Sequence, residues 1–372
     1  MPKVVIVKAE SYGNNLDKKV AEALKLAGFK PSKSGLILVK PNILRATNPK
    51  EAVNTNPEFV KAVVKEIRKH NKNIVVGDGV GKRKFSGEEP VLGSNGIEKA
   101  VRGLSKVKNF DDENMELSLD NPINKVRVAR ILKDAKYKIS APKLKTHMLT
   151  FITGAVKNHY GYLYKDYKVI GHARNWKVDD FMDFIIELYL KTKADFSIMD
   201  GIVGMEGEGP GSGTPVNSKV ILASEDAFAL DYVAAKIMGY EPESLLFFKK
   251  AMGKNLLNPK EIEVMGEKIE NVAIKFKTPH SVSVSRLFFP IYNSAVYKFL
   301  RKRIKVNKEK CIKCAKCMKE CPVGAIKMKP YPEIDNSKCI RCFCCIEHCP
   351  ENALSLKGRI SEWFDKKIDF RK

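Results

Sequence analysis

The sequence predicts an α/β domain with a mainly parallel sheet, followed by a small cysteine-dense module that binds metal. Three observations predict this. Strand-like and helix-like signals alternate over the first 280 of 372 residues, the pattern of βαβ units. Apolar residues make up 44% of the chain and charged residues 30%, enough to bury real cores and too apolar for a disordered chain. All nine cysteines crowd into the 39 residues from Cys311 to Cys349.

Each element has a local reason. Val4 to Val7 is a short β-branched run. From Asn14 to Ala27, the residues Leu16, Val20, Ala23, Leu24 and Ala27 share one helical face, and Gly28 stands where a C-cap belongs. Leu36 to Val39 reads as a buried strand ending in Lys40-Pro41-Asn42. Asn56-Pro57 opens a helix with the stripe Phe59, Val60, Val63, Val64 and Ile67; proline at the first helical position loses no hydrogen bond. Ile74 to Val76 is a strand leading into Gly77-Asp78-Gly79-Val80-Gly81. Tyr137 to Ala141 is a strand running into Pro142-Lys143-Leu144-Lys145-Thr146-His147. Val178 to Leu190 is an amphipathic helix. Phe196 to Met199 is a strand expected to give way at Asp200 to a glycine-dense loop. Val220 to Ala223 is a strand, and Asp226 is placed to cap a helix that runs to Gly239. Ser285 to Val306, aromatic and then basic, reads as a helix bridging two domains, with a membrane-surface helix as the minority reading.

Ligands of parallel sheets sit beyond the carboxyl ends of the strands, so the polar residues that follow these strands are candidates for one cleft. Lys143, Lys145 and His147 alternate and would project to one side of an extended segment. Thr153 to Gly161 contains Lys157, Asn158 and His159, with His172 beyond. Asp200 to Gly213 holds six glycines in fourteen residues, and its Asp200, Glu206 and Glu208 suit a hard cation or acid–base work. The plain alternatives are solvated lysines, hydrogen-bonded structural histidines and a surface loop. Gly77 to Gly81 is GxGxG rather than the dinucleotide fingerprint, and no phosphate loop or HExxH is present.

Net charge is +24, of which +10 falls from Arg301 onward, with 19 basic and 9 acidic residues there. Surface solubility accounts for such a charge as well as an anionic partner does. The basic residues are scattered without a recognisable motif, so nucleic acid is not the expected partner. No apolar run approaches 18 residues, so no transmembrane segment is expected, and Met1 to Glu10 lacks the apolar core of a signal peptide. The expected address is cytoplasmic, and cysteines crowded at one end of a cytosolic chain read as metal binding.

The run Cys311-x2-Cys314-x2-Cys317-x3-Cys321-Pro322 recurs 28 residues later as Cys339-x2-Cys342-x2-Cys345-x3-Cys349-Pro350, and Ala325 recurs as Ala353. This internal repeat resembles the bacterial two-cluster ferredoxin module, two short hairpins and two helices around two [4Fe–4S] clusters. The resemblance implies that Cys311, Cys314, Cys317 and Cys349 hold one cluster. Cys339, Cys342, Cys345 and Cys321 hold the other, because the fourth cysteine of each run ligates the neighbouring cluster. Two zinc ions with four cysteines each are the alternative use of the same eight. Cys344 has no counterpart, since Lys316 holds its slot in the first copy, and it reads as a spectator thiol pointing away from the cluster.

The strings Lys40-Pro41-Asn42, Lys145-Thr146-His147, Thr153 to Asn158 and Asp200 to Pro215, with Asp226 and Asp231, resemble the domain-of-unknown-function family 362 over about residues 36–240. That resemblance implies that Lys40, Asn42, Lys145, His147, Lys157, Asn158, His172, Asp200 and Glu206 share one site, without naming a reaction.

The expected organisation is an α/β domain at 1–284, a basic aromatic linker helix at 285–305, a small α+β two-cluster ferredoxin-like domain at 306–358 and a tail at 359–372. The expected function is an iron–sulfur oxidoreductase that passes single electrons to a small anionic substrate. Lys40, Lys143, Lys145 and Lys157, with Asn42 and Asn158, would bind the anion, with Lys40, Lys145 and Lys157 converging without a counter-charge. His147 or His172 would supply a proton, and Asp200 and Glu206 would act as acids or position a metal. The competing expectation is a non-catalytic electron carrier that docks onto a redox partner protein.

Overall fold

The computed structural model describes residues 1–80, 93, 95–120, 123–175, 177–279 and 303–357. The tail at 359–372 and all but the last residues of the expected linker helix lie outside them. Where the description resumes, Arg303–Val306 is a strand and not helix.

Eleven strands form one large sheet. Eight of them follow one another across it in the order Glu263–Gly266, Lys3–Lys8, Val220–Ser224, Phe196–Glu206, Ala135–Ala141, Leu36–Pro41, Ile74–Asp78 and Lys106–Asn109. All run in one direction except Val220–Ser224, which lies antiparallel to both neighbours. The fold is the mainly parallel α/β architecture that the alternation predicts.

Successive residues of a strand face opposite sides, and here both sides are covered. Val4 and Ile6 join the core under the helices Val178–Thr192 and Ala227–Ile237. Val5 and Val7 join the core under Leu16–Leu26 and Pro57–Arg68. The predicted caps form: the Asn56 side chain accepts from Glu58 N–H, and the Asp226 side chain from Ala229 N–H. Each such cap stabilises its helix by about 1 kcal/mol.

One local expectation is corrected. The strand from Phe196 does not stop at Asp200 but continues to Glu206. A Cβ on Gly201 would lie 2.9 Å from both the Val220 side chain and its carbonyl oxygen. Glycine there admits a close strand neighbour, which is the reason it occurs in strand interiors.

The C-terminal module obeys the 28-residue repeat down to its backbone. Short helices occupy Lys316–Lys319 and Cys344–Glu347. Left-handed residues recur at the same offset, Lys313 with Arg341, Ala315 with Phe343 and Gly324 with Asn352. Arg303–Val306 pairs antiparallel with Leu354–Lys357, and Ile326–Lys329 with Tyr331–Ile334. Among the described residues no helix is long and apolar enough to cross a membrane.

Candidate functional site

Two small hollows in the C-terminal module partition the cysteines. One is lined by Cys311, Cys314, Cys317 and Cys349, the other by Cys321, Cys339, Cys342 and Cys345. Repeated left-handed backbone at non-glycine residues costs about 1–2 kcal/mol per residue. The left-handed residues Lys313, Ala315, Arg341 and Phe343 fall between the cysteines of each loop, whose three thiols line one hollow. The fourth cysteine of each run is fixed by a backbone donor, Ala325 N–H to Cys321 Sγ and Ala353 N–H to Cys349 Sγ, both at 3.2 Å. Hydrogen bonds of this kind tune ligand sulfurs. Among the described residues, no three His, Cys, Asp or Glu side chains converge as the ligands of a single ion do.

Between this module and the carboxyl edge of the large sheet lies a cleft of about 290 Å³. The sheet side contributes Lys40, Asn42, Lys145, Lys157, Asn158 and His172. The module contributes Glu320, Cys344, Glu347 and His348. Six of the sequence-predicted residues are therefore brought together.

The cleft lysines differ in how they are held. Lys40 is fully buried and ion-paired with Asp78 at 2.7 Å, and its Nζ also donates to Asn158 Oδ1 at 3.1 Å. Lys145 donates to the carbonyl oxygens of Val53 at 2.7 Å and Pro210 at 3.3 Å. Lys157 lies over the Tyr160 ring and has no carboxylate within ion-pair distance among the described residues. The expected convergence without a counter-charge is not met at Lys40, which is paired with Asp78, and the Glu347 carboxylate acts on both Lys145 and Lys157 from the other wall. Burial, reinforced by Lys157, pushes Lys145 well below its ordinary value, and burial lowers Lys157 too.

His172 is stacked on Phe181, with ring centroids 4.5 Å apart. Burial and then the Lys157 charge push it down to about 3, so it is neutral at pH 7. Its Nδ1 makes no hydrogen bond within the described chain, and neither do Asn42 Oδ1, Thr153 Oγ1 and Glu347 Oε1, which also belong to the cleft wall. Buried polar atoms are nearly always paired, so four such atoms around one cleft mark a place where a polar ligand fits.

Lys143, His147, Asp200 and Glu206 do not line the cleft. Lys143 and Asp200 form a buried ion pair at 2.8 Å, and Asp200 also accepts from Tyr12 Oη at 2.8 Å and Asn56 N–H at 2.9 Å. With Ile202 N–H as a fourth donor at 3.3 Å, its lone-pair positions are all engaged and none is left for a metal or a proton transfer. Glu206 is held by the Lys277 backbone N–H at 2.9 Å and the Lys277 ammonium at 3.1 Å. His147 is fully buried behind the cleft. Its Nδ1 accepts from Leu149 N–H at 3.0 Å, which leaves the proton on Nε2, 3.5 Å from Glu347 Oε1. That separation lies within ion-pair range, yet the two atoms lack hydrogen-bond alignment. Burial and Lys157 hold His147 far below its ordinary value, so the contact is between a neutral imidazole and a carboxyl group.

Sequence reasoning missed Asp78, Tyr160, Glu347, His348 and Cys344. Cys344 turns away from its own hollow, as a spectator would, but into the cleft wall, where it is buried. A signal existed in the repeat. Cys344, Glu347 and His348 replace Lys316, Lys319 and Glu320 of the first copy. These positions are spaced i, i+3 and i+4, one helical face.

Residues 37–236 match a family described as a domain of unknown function, DUF362, over more than half of the chain, and residues 303–350 match a 4Fe–4S dicluster domain. The chain is 28% identical over 256 residues to a thylakoid-associated protein of Synechocystis sp., covering 63% of this chain and 76% of that protein. The lactate racemase apoprotein from Thermoanaerobacterium thermosaccharolyticum shares 14% identity with a TM-score of 0.39. The match covers 64% of this chain and 56% of the racemase chain, and is too loose to bear on chemistry.

Proposed function

The chain belongs to the DUF362 family and carries a C-terminal 4Fe–4S domain of the electron-transport kind; from that premise we propose an iron–sulfur oxidoreductase that holds two [4Fe–4S] clusters and passes single electrons to a small anion in the cleft. One observation carries the reading. The cleft has lysines and His172 on one wall and, on the other, the helix that contains Cys345 and adjoins Cys342 and Cys349. A ligand in it would lie beside the cysteine module without entering it.

Cys311, Cys314, Cys317 and Cys349 would hold one cluster and Cys321, Cys339, Cys342 and Cys345 the other, a division that the two cysteine-lined hollows support. When bound, the clusters supply electrons one at a time. The chain supplies the rest. Lys157 and Lys145 bind the anion, with Thr153 and Asn42 fixing its orientation. His172, held neutral first by burial and then by the Lys157 charge, donates a proton more readily once the anion offsets that charge. A cleft of about 290 Å³ sits at the bottom of the range for ligand pockets, which favours a small carboxylate or phosphate over a dinucleotide. Cytoplasmic residence is part of this reading; the thylakoid association of the Synechocystis relative makes a membrane-adjacent address the alternative.

The test uses anaerobically reconstituted full-length protein. It should bind about eight iron atoms per chain, and phosphate, sulfate or a small dicarboxylate should raise its melting temperature. An anion at a hundred times its Kd stabilises by about 2.7 kcal/mol. The Lys157→Ala variant should keep its iron and lose that rise. An identical response in wild type and variant would remove the anion site from the reading.

A further inference from the structure

We propose that the face of the first cysteine copy around Ile312 and Met318 receives an acidic electron-carrier protein, and that electrons enter the module there and leave it at the cleft. This rests on the proposed electron transfer to the cleft, and it adds the entry point and the chemistry of the donor.

The argument starts from the internal repeat. Two copies related by 28 residues present two equivalent helix faces. In the second copy that face is used within the chain. Ile346 is 1% exposed, Cys344 and Glu347 are buried, and the face abuts the α/β domain through the cleft and the His147–Glu347 contact. Beside it, Arg45 of the α/β domain donates to the carbonyl oxygen of Cys349 and to Asn352 Oδ1. The matching position in the first copy, Met318, is 38% exposed, and nearby Ile312 is 61% exposed. Ile312 also lines the hollow of Cys311, Cys314, Cys317 and Cys349. Among the described residues Ile312 is the most exposed large apolar side chain after Met1, and its place beside a cysteine-lined hollow is where an apolar contact would serve docking.

Charge then selects the partner. In the second copy the acidic Glu347 meets the lysine wall of the α/β domain. In the first copy its counterpart is Lys319, and residues 308–319 carry five lysines against one acid, Glu309. Lys308, Lys310, Lys313 and Lys319 are all exposed and flank the apolar pair along the chain, while Glu351 is the acid at the hollow beside Ile312. A basic rim about an apolar centre fits an acidic partner and speeds its approach. The segments outside the described residues are poor occupants. Residues 280–302 hold four basic residues and no acid, and 358–372 hold five basic and three acidic. Each docking event moves one electron, oxidising the carrier and reducing the module by one.

The experiment uses the reconstituted full-length protein and a small, acidic, plant-type [2Fe–2S] ferredoxin as donor. Its potential of about −400 mV makes it strongly reducing. Calorimetry gives the affinity, and stopped-flow bleaching gives the rate of cluster reduction. The Lys310→Glu/Lys319→Glu and Ile312→Ser/Met318→Ser variants should each lose at least tenfold in affinity and rate. The charge reversal should also flatten the salt dependence. Iron content and bleaching by dithionite should be unchanged, and a Lys249→Glu/Lys254→Glu control should behave as wild type. Equal rates and affinities in all four proteins, or no binding by wild type, would overturn the proposal. So would capture by anionic vesicles that is lost in these variants while the ferredoxin rate is not. Failure of the electron-transfer reading itself looks different: iron well below eight atoms, or no bleaching by dithionite.

Discussion

The helix Gly154–Asn158 delivers Lys157 and Asn158 to the cleft, and it is fastened by one carboxylate. Asp231, 1% exposed in the helix Ala227–Ile237, accepts from Ala155 N–H at 2.6 Å and Val156 N–H at 3.0 Å. Gly154, with φ +62°, lies so close that a Cβ would sit 2.4 Å from Asp231 Oδ2. The first amides of a helix have no partner of their own, so they depend on this side chain. Asp231→Asn keeps the shape but turns an NH2 group toward one amide, stranding a buried donor at a cost of about 1–3 kcal/mol. Asp231→Ala strands both and should cost roughly twice that. Burial pushes the Asp231 carboxyl up to about 7, against the pull of the two amides. A folded value above the unfolded 3.8 means that the unfolded chain gives up the proton first. The contribution is therefore complete below that value and is lost as pH rises toward 7. Between pH 5.5 and 7 the loss is about 2 kcal/mol, at 1.36 kcal/mol per unit. Anaerobic melting of wild type and Asp231→Asn across pH 5.5–8 measures it. The Asn penalty should shrink as pH rises, and the anion-induced rise in melting temperature should fall in the variant although Asp231 touches no anion. A penalty that is flat or grows with pH would show the carboxylate ionised throughout, with the two amides outweighing burial.

Cys344→Ala should leave iron content unchanged, whereas Cys345→Ala should lose about half of it or collapse the module, as iron analysis would show. Lys143→Ala should destabilise the protein by about 3–5 kcal/mol, because it leaves the buried Asp200 carboxylate without its ammonium. Lys157→Ala should barely move the melting temperature without anion yet abolish the anion response; the reverse pattern would exchange the two lysines' roles. Anion binding should take up protons, since it lifts the lowered values of Lys145, Lys157 and His172. Affinity should then fall as pH rises, and the binding heat should depend on the buffer's ionisation enthalpy. No buffer dependence would mean that those groups do not change protonation with the ligand.

The strands of the α/β domain were legible because a parallel sheet covered on both faces writes its strands as uninterrupted β-branched runs, as at Val4 to Val7. Helix starts were legible at Asn56 and Asp226 because their caps are chemical necessities of the first turn. The cysteine repeat was legible from its 28-residue offset, whereas the crossing of the fourth cysteine of each run came only with the resemblance to a two-cluster module. Less was legible where several distant segments decide one residue's role. Lys40, Lys143 and Lys145 look alike in sequence and follow neighbouring strands. Their difference lies in Asp78, Asp200 and two carbonyl groups, each from another part of the chain. The glycines after Asp200 misled for a related reason, since a residue that permits a loop also permits a close neighbour, and only the pairing with Val220 tells which.

The departures from the internal repeat point to the cleft more directly than the lysines do. A duplicated module that served only to hold clusters would need its cysteines, its prolines and its left-handed turns in both copies, and these do recur. Its outer helix faces would be free to drift toward any soluble residues. Instead the second copy puts Cys344, Ile346 and Glu347 where the first has Lys316, Met318 and Lys319, exchanging two cations for a thiol and an acid. A buried acid needs a partner in the folded chain, and here the neighbouring cations belong to the α/β domain, with Glu347 facing His147. The substitution therefore makes sense only for a module docked where it is, so that the cleft belongs to both domains together.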